Sequence, residues 1–282
     1  MISGLAMTPA ISILIRTFNS AATLPEVLAK FDVQPDDEII VVDSGSGDDT
    51  LAIAEQYHAR ILVVEPPFNY SKSLNAGFRA AKNPWVLVIS SHCVPQSGNL
   101  LACFRSAILK FPESVAVAYG DCSLVRRESS AGPDVLFADK TADALQRRRV
   151  YGGNSLALYR RNSWEKQPFD ETLPTAEDLA WFLRALETGA QAARVPQARA
   201  LYRNRGSLRH MFRKGWLESR LAVQLTGAPA ATFFQFAVNL ASLVKKCATG
   251  KMPVSALPRQ SAHALGAYLS PKFSGAKNRA GR

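Results

Sequence analysis

Glu177 and Asp178 stand side by side at the head of a helical pattern that continues through Trp181, Phe182 and Leu186 and stops at Gly189. A carboxylate so placed can accept a proton from an attacking hydroxyl. Acidic residues also favour helix N-termini for their own sake, and Thr175-x-x-Asp178 is itself a capping arrangement. Three further polar clusters each end an apolar run. Arg16-Thr17-Phe18-Asn19 follows residues 11–15, Asp43-Ser44-Gly45-Ser46 follows residues 38–42, and Ser90-Ser91-His92 closes residues 85–89. Ligands of open α/β sheets bind at the carboxyl ends of the strands, so three polar strand ends predict one small-molecule crevice.

Each of these residues has a plainer reading beside the chemical one. Asp43 ends a buried strand, where a lone carboxylate needs donors. A ligand supplies them, or Asp43 only starts the Asp43-Ser44-Gly45-Ser46 turn and caps the next helix. Lys72 and Arg79 flank Asn75 and Gly77 and could meet phosphate as point charge and fork; the alternative is a solvated helix face. Asn75 orients a ligand or ties down a loop. Gly152-Gly153-Asn154 lets the backbone approach a substrate closely or makes an ordinary turn before a strand. His58 and His263, in polar surroundings, are expected to do no chemistry.

The elements that position these residues follow from periodicity. Strands alternate with helices through the first half, the arrangement of a parallel sheet. Thr23-x-x-Glu26 predicts a capping box opening a helix through Leu24, Val27, Leu28 and Phe31. Helices are expected from Asp49, over residues 71–81 and over 98–111. Strands are expected over 60–64, 85–92, 115–119 and 152–159. Residues 126–149 read as a long mobile loop with partial helix, and Thr175 as the cap of the helix carrying Glu177 and Asp178. Helices are again expected over 209–225 and 230–246. Beyond Pro253 the Ser-, Gly- and Lys-rich composition predicts a loosely ordered tail.

Composition narrows the class. A chain of 282 residues, 47% hydrophobic, with mean hydropathy −0.04, reads as a soluble globular protein with one large domain and an appendage. Cys93, Cys103, Cys122 and Cys247 form no Cys-x-x-Cys pair and read as reduced thiols in a cytosolic protein. No secretory signal is visible, and the longest apolar stretch, residues 228–244, is broken by Gln235, Asn239 and Ser242. A net charge of +11 fits nucleic acid, an anionic membrane or a polyphosphate. No nucleic-acid-binding motif is present, so nucleic acid is not an expected partner. Phe233, Phe234, Phe236, Leu240 and Leu243, with Lys245 and Lys246 behind them, suit peripheral contact with an anionic bilayer or an ordinary packed helix.

The order Arg16-Thr17-Phe18-Asn19, Val41-Val42-Asp43-Ser44-Gly45-Ser46, Ser71-Lys72-Ser73-Leu74-Asn75-Ala76-Gly77 and Glu177-Asp178-x-x-Trp181 resembles family 2 glycosyltransferases of the GT-A fold. Each element alone is weak; four in order at these separations are specific. The resemblance covers about residues 10–205. It implies an α/β, Rossmann-like, mostly parallel sheet flanked by helices. A nucleotide-sugar-binding half falls over about 10–125 and an acceptor-side half over 150–205. A helical appendage (206–250) and the basic tail (251–282) would follow.

The resemblance further implies inverting transfer from a UDP-, GDP- or dTDP-sugar to a lipid-linked or glycan acceptor. Asp43 would contact the nucleobase, and Thr17 and Asn19 would line the nucleoside pocket. Arg16, Ser44, Lys72, Asn75, Ser91 and His92 would complete the donor side. Asp178, favoured over Glu177, would be the catalytic base. Asn154, Trp181, Arg203 and Arg205 would face the acceptor or phosphate, with Trp181 alternatively in the core.

Relatives usually end the fourth strand in Asp-x-Asp, whose last carboxylate holds a divalent cation. Here it reads Ser90-Ser91-His92, and the later His-containing segment reads Leu201-Tyr202-Arg203-Asn204-Arg205. A subset of the family carries Ser-x-His at this place. Three roles for His92 stay open. It could be a ligand for Mn²⁺ or Mg²⁺. It could be a hydrogen-bond donor while Arg203, Arg205 or Arg209 and His210 supply positive charge. It could simply cap the strand end. Without the acidic ligands, weak or absent metal dependence is expected. The leading function is a cytoplasmic glycosyltransferase of polysaccharide synthesis, placed at the inner face of the membrane if the late helices bind lipid. The competing class is a catalytically silent nucleotide-sugar- or partner-binding protein of the same fold. A nucleotidyltransferase would need a Gly-rich phosphate loop after the first strand, which Thr17-Phe18-Asn19-Ser20 is not.

Overall fold

Ile11, Ile13 and Ile15 bury one face of strand β1 (Ile11–Thr17) and Leu14 the other, as a central strand covered on both sides requires. The computed structural model describes residues 8–124, 135–203, 207–226, 233–249, 252 and 254–274. The chain divides into two compact units, Met1–Arg203 and Asn204–Arg282.

In the first unit, β1 is followed by α1 (Leu24–Leu28), β2 (Glu38–Asp43), α2 (Thr50–Gln56), β3 (Arg60–Val63), α3 (Tyr70–Ala80) and β4 (Trp85–Ser90). Then come β5 (Cys93–Pro95), α4 (Leu100–Ile108), β6 (Val115–Ser123), β7 (Leu136–Ala138) and α5 (Ala144–Val150). The unit closes with β8 (Leu156–Arg160), α6 (Arg161–Lys166), α7 (Glu177–Glu187) and β9 (Gln191–Tyr202). One sheet runs β3-β2-β1-β4-β8-β6-β9-β5, with β7 on β9. Its first four strands are all parallel, and β8 enters antiparallel between β4 and β6. One hydrophobic cluster packs on each face, the first including Val27 and Phe104, the second Phe78 and Trp181. The expected α/β architecture is therefore present.

Local differences have local causes. No capping box forms at α1: Thr23 is the N-cap but makes no side-chain cap bond, and Pro25 in the first turn presets the helix instead. The strand expected over 85–92 ends at Ser90 and restarts as β5 after a turn. Within the stretch read as a mobile loop, β7 and α5 form, α5 opened by a true capping box between Asp143 and Gln146; residues 125–134 lie outside the described residues. The twelve-residue β9 was not expected, because Gln191-Ala192-Ala193-Arg194 favours helix. Pairing decides it. β6, β7 and β5 all bond to β9, and a register shift between Tyr119 and Asp121 takes up the segment holding Pro196.

The second unit holds α8 (Leu208–Thr226), α9 (Phe233–Ala248), a 3-10 turn (Val254–Ala256) and α10 (Leu257–Ser274). The expected loose tail is thus corrected: its middle is an eighteen-residue helix. The small residues that suggested disorder make a close crossing. A Cβ on Gly215 would lie 2.1 Å from the His263 carbonyl oxygen, and one on Gly266 would lie 2.1 Å from that of Phe212. His263 Nε2 also meets Glu218 Oε2 at 3.0 Å across this pair. No helix among the described residues is long and apolar enough to cross a membrane.

Candidate active site

At the carboxyl ends of β1, β2 and β4 the polar side chains bond to one another. Asp43 is fully buried. Its Oδ2 accepts from Thr17 Oγ1 at 2.8 Å and Ser46 Oγ at 2.6 Å, and its Oδ1 accepts from the amides of Gly45 at 2.9 Å and Ser46 at 2.7 Å. This is the turn reading of Asp43. Here the carboxylate is enclosed and accepts four hydrogen bonds. Thr17 is committed to Asp43. Ser91, also buried, shares a 2.8 Å hydrogen bond with Ser20. Asn19 adopts the left-handed region at φ 47°, which Asn tolerates, and its Oδ1 accepts from the Gly47 amide at 2.9 Å. Ser44 is half-buried, its amide donating to the Thr17 carbonyl at 3.1 Å. The wall is rigid, and its open groups are Asn19, Ser44 and the exposed Phe18 ring.

The carboxylates of α7 are held differently. Ala176, not Thr175, is the N-cap of α7, at φ 57° and without a side-chain cap bond. That strained residue turns Glu177 inward and leaves Asp178 half-buried. Glu177 is 5% exposed. Its Oε1 accepts from Asn154 Nδ2 at 3.1 Å, while Asn154 Oδ1 accepts from the Tyr159 hydroxyl at 2.7 Å. The Asn154 amide donates to Asp178 Oδ2 at 2.9 Å. Gly153, at φ +72°, makes that approach feasible: a Cβ there would lie 3.1 Å from the same oxygen. Asn154, expected on the acceptor side, is a buried clamp joining both carboxyl groups.

Burial first, and then the neighbouring Asp178 charge, push the Glu177 carboxyl up to about 7, against the pull of Arg16 and the Asn154 hydrogen bond. Burial and Asp178 also hold the Tyr119, Tyr151 and Tyr159 hydroxyls well above the ordinary phenol range. These tyrosines were not anticipated, although Tyr151 directly precedes the Gly152-Gly153-Asn154 turn.

Other expected site residues lie elsewhere. Asn75 is buried in a structural knot. Its Nδ2 donates to the Phe169 carbonyl at 3.0 Å and Glu171 Oε1 at 2.9 Å, and its Oδ1 accepts from Trp164 Nε1 at 2.9 Å and the Phe169 amide at 3.1 Å. It ties a loop and has no capacity left for a donor. Trp181 is wholly buried, its ring 4.9 Å from Tyr159, so it is core and stacks on no sugar. Lys72 is exposed in the first turn of α3. Arg203 pairs with Glu26 at 3.5 Å on the surface. Arg205 lies outside the described residues, as does the side chain of His210.

His92 is half-buried, its ring edge-on to Tyr202 at 4.7 Å, and its carbonyl accepts from the Arg203 amide at 2.8 Å. A hard divalent cation takes oxygen ligands, carboxylates above all. Ser90, Ser91 and His92 do not offer that set, and among the described residues no group of three or more His, Cys, Asp or Glu side chains could hold a metal. At this strand end the side chains offer no carboxylate, and His92 is the candidate ligand there.

A family model described as glycosyl transferase family 2 matches residues 12–166. The O-antigen chain rhamnosyltransferase WbaN of Salmonella anatum is 25% identical over 222 residues, 73% of this chain and 70% of that protein. An uncharacterized glycosyltransferase of Mycobacterium bovis is 34% identical over 91 residues, 32% of this chain and 40% of its own length. Among solved structures, a mannosyltransferase from Pyrobaculum calidifontis in complex with GDP-Man and Mn²⁺ superposes with a TM-score of 0.60 at 18% identity, covering 97% of this chain and 88% of that one. Glucosyl-3-phosphoglycerate synthase from Mycobacterium tuberculosis, in complex with Mg²⁺ and UDP, gives 0.58 at 19% identity, covering 78% and 80%. Both structural likenesses speak for the GT-A fold.

Proposed function

The chain belongs to glycosyl transferase family 2, and from that membership we propose that this glycosyltransferase inverts the anomeric carbon, with Asp178 as the base. The observation that carries the reading is the asymmetry of the carboxyl pair: Asp178 is half-buried and gripped by the Asn154 amide, whereas Glu177 is enclosed and shifted up to about 7. Burial and the Asp178 charge make Glu177 hold its proton more readily, which leaves Asp178 as the carboxylate that meets the acceptor. The acceptor hydroxyl passes its proton to Asp178 as its oxygen bonds to the anomeric carbon. The bond from that carbon to the diphosphate oxygen breaks, and the nucleoside diphosphate departs.

The donor is a UDP-, GDP- or dTDP-sugar lying along the ends of β1, β2 and β4. Asn19, Ser44 and His92 are within its reach, and Asp43, Thr17 and Ser91 keep the wall in shape. The acceptor is a lipid-linked or glycan chain of a surface polysaccharide, a reading supported by the O-antigen activity in the name of one relative. Arg209, Arg213, Lys214 and Arg220 on α8, with Lys245 and Lys246 ending α9, suit a peripheral seat on the anionic inner face of a membrane.

Thermal shift against a panel of UDP-, GDP- and dTDP-sugars identifies the donor, because a ligand bound only by the folded state raises its stability. NMR of the product then reads the anomeric configuration. Inversion, with turnover that survives chelation, is expected. Retention of configuration contradicts the single displacement, and binding without transfer or hydrolysis points to the silent binding protein.

A further inference from the structure

Arg16 carries two hydrogen-bond donors that no described residue meets. It lies on β1 in register with Val42 of β2 and Ser90 of β4, on the sheet face lined by Leu14, Val86 and Val88. Its guanidinium carbon sits 4.9 Å from the centre of the Tyr70 ring. Its charge is felt at Glu177, whose Oε1 is engaged by Asn154. Nε and Nη1 of Arg16 are both shut from solvent and have no hydrogen-bond partner among the described residues. Stripping water from a guanidinium without replacing its hydrogen bonds is strongly unfavourable, and native proteins rarely leave such groups unmet.

We propose that Arg16 is an anion receptor of the crevice, taking a phosphate or carboxylate oxygen of a substrate on the Asp178 side. A guanidinium presents a planar fork of donors that matches two oxygens of such a group. Tyr70 holds one face of that plane by cation–π contact. The inference rests on reading the crevice as a glycosyl-transfer site. Two substrates could bring the oxyanion. From the donor, it is the diphosphate, and Arg16 stabilises the charge released as the anomeric carbon–oxygen bond breaks, at a strand end that lacks carboxylates for a cation. From the acceptor, it is an anionic group that fixes the attacking hydroxyl beside Asp178.

Binding distinguishes these without any need for turnover. Calorimetry on the full chain compares parent, Arg16→Met and Arg16→Lys with UDP, GDP and dTDP, their monophosphates, and inorganic phosphate added to nucleotide-loaded protein. A donor source predicts that Arg16→Met weakens diphosphate binding roughly ten- to a hundredfold, the worth of charged hydrogen bonds, and leaves the monophosphate unchanged. An acceptor source predicts unchanged nucleotide affinity and loss of phosphate binding. Arg16→Lys, which keeps the charge but not the fork, should recover only part of either. It also serves as the reporter if Arg16→Met does not fold, and Lys affinities equal to the parent's then overturn the bidentate contact. A folded Arg16→Met that binds every probe as the parent does overturns the proposal, as does a parent that binds none of them. A parent that binds phosphate through Arg16 but no nucleotide keeps the receptor and removes the glycosyl-transfer reading.

Discussion

The two sides of the crevice are built from similar residue types and behave oppositely. On the wall made by β1, β2 and β4, Thr17, Ser46 and two backbone amides satisfy Asp43, and Ser20 satisfies Ser91. On the α7 side, Glu177 is pushed up to about 7 and Asp178 is only half-buried, its oxygens accepting from the Asn154 and Leu179 amides; Arg16 of β1, whose charge acts on Glu177, has two N–H groups unmet. A buried polar group whose bonds are complete costs the fold little and has nothing left to give a substrate. One whose bonds are incomplete is held in readiness by the structure around it. The first side is a scaffold and the second carries the chemistry.

The largest effect that sharpens this contrast is on the scaffold. Asn75→Ala removes four hydrogen bonds, three of them fully buried, and strands their partners, so a loss of about 2–4 kcal/mol is expected from urea unfolding. An unchanged midpoint would break the assignment of Asn75 as a tie. Gly153→Ala comes next, at about 1–2 kcal/mol, because an L-residue at φ +72° is strained. Its Cβ would also press on Asp178 Oδ2, so kcat should fall more than donor affinity, which steady-state kinetics can separate. The smallest effect is the pH response of Glu177. Its carboxyl is raised from 4.5 to about 7 in the fold, so its contribution to stability is complete below 4.5 and lost as pH rises through 7. Glu177→Gln, a mimic of the protonated form, should flatten that fall in a pH series of unfolding curves. An identical pH series in parent and variant would show that Glu177 is not the titrating group.

The strand ends and the helix bearing Glu177 and Asp178 were legible because apolar runs stop abruptly and the α7 pattern keeps a helical period. Their roles were less so. Asp43 and Asn75 look like ligand contacts in the linear order, and only the folded chain brings Ser46 and Thr17 to the first, and Trp164 and Phe169 to the second. The β9 strand was hidden because its Ala-rich sequence states a helical preference that strand pairing overrides. In α10, Gly266 suggested looseness, whereas a close crossing with Gly215 of α8 needs a residue without a side chain. Ala176 gave no signal, since a left-handed alanine is set by its surroundings and not by its own propensity.

The central claim is that chemistry and scaffolding fall on opposite sides of one crevice. The most direct measurement takes Asp43→Ala and Asp178→Asn together, recording for each the unfolding midpoint and the turnover per folded molecule. Asp43→Ala should lower the midpoint markedly while its folded fraction still transfers sugar. Asp178→Asn should unfold like the parent while turnover drops on the order of 10²–10⁴-fold, the usual worth of a general base. A folded Asp178→Asn that turns over at the parent rate, or an Asp43→Ala as stable as the parent but unable to bind donor, would reverse the assignment.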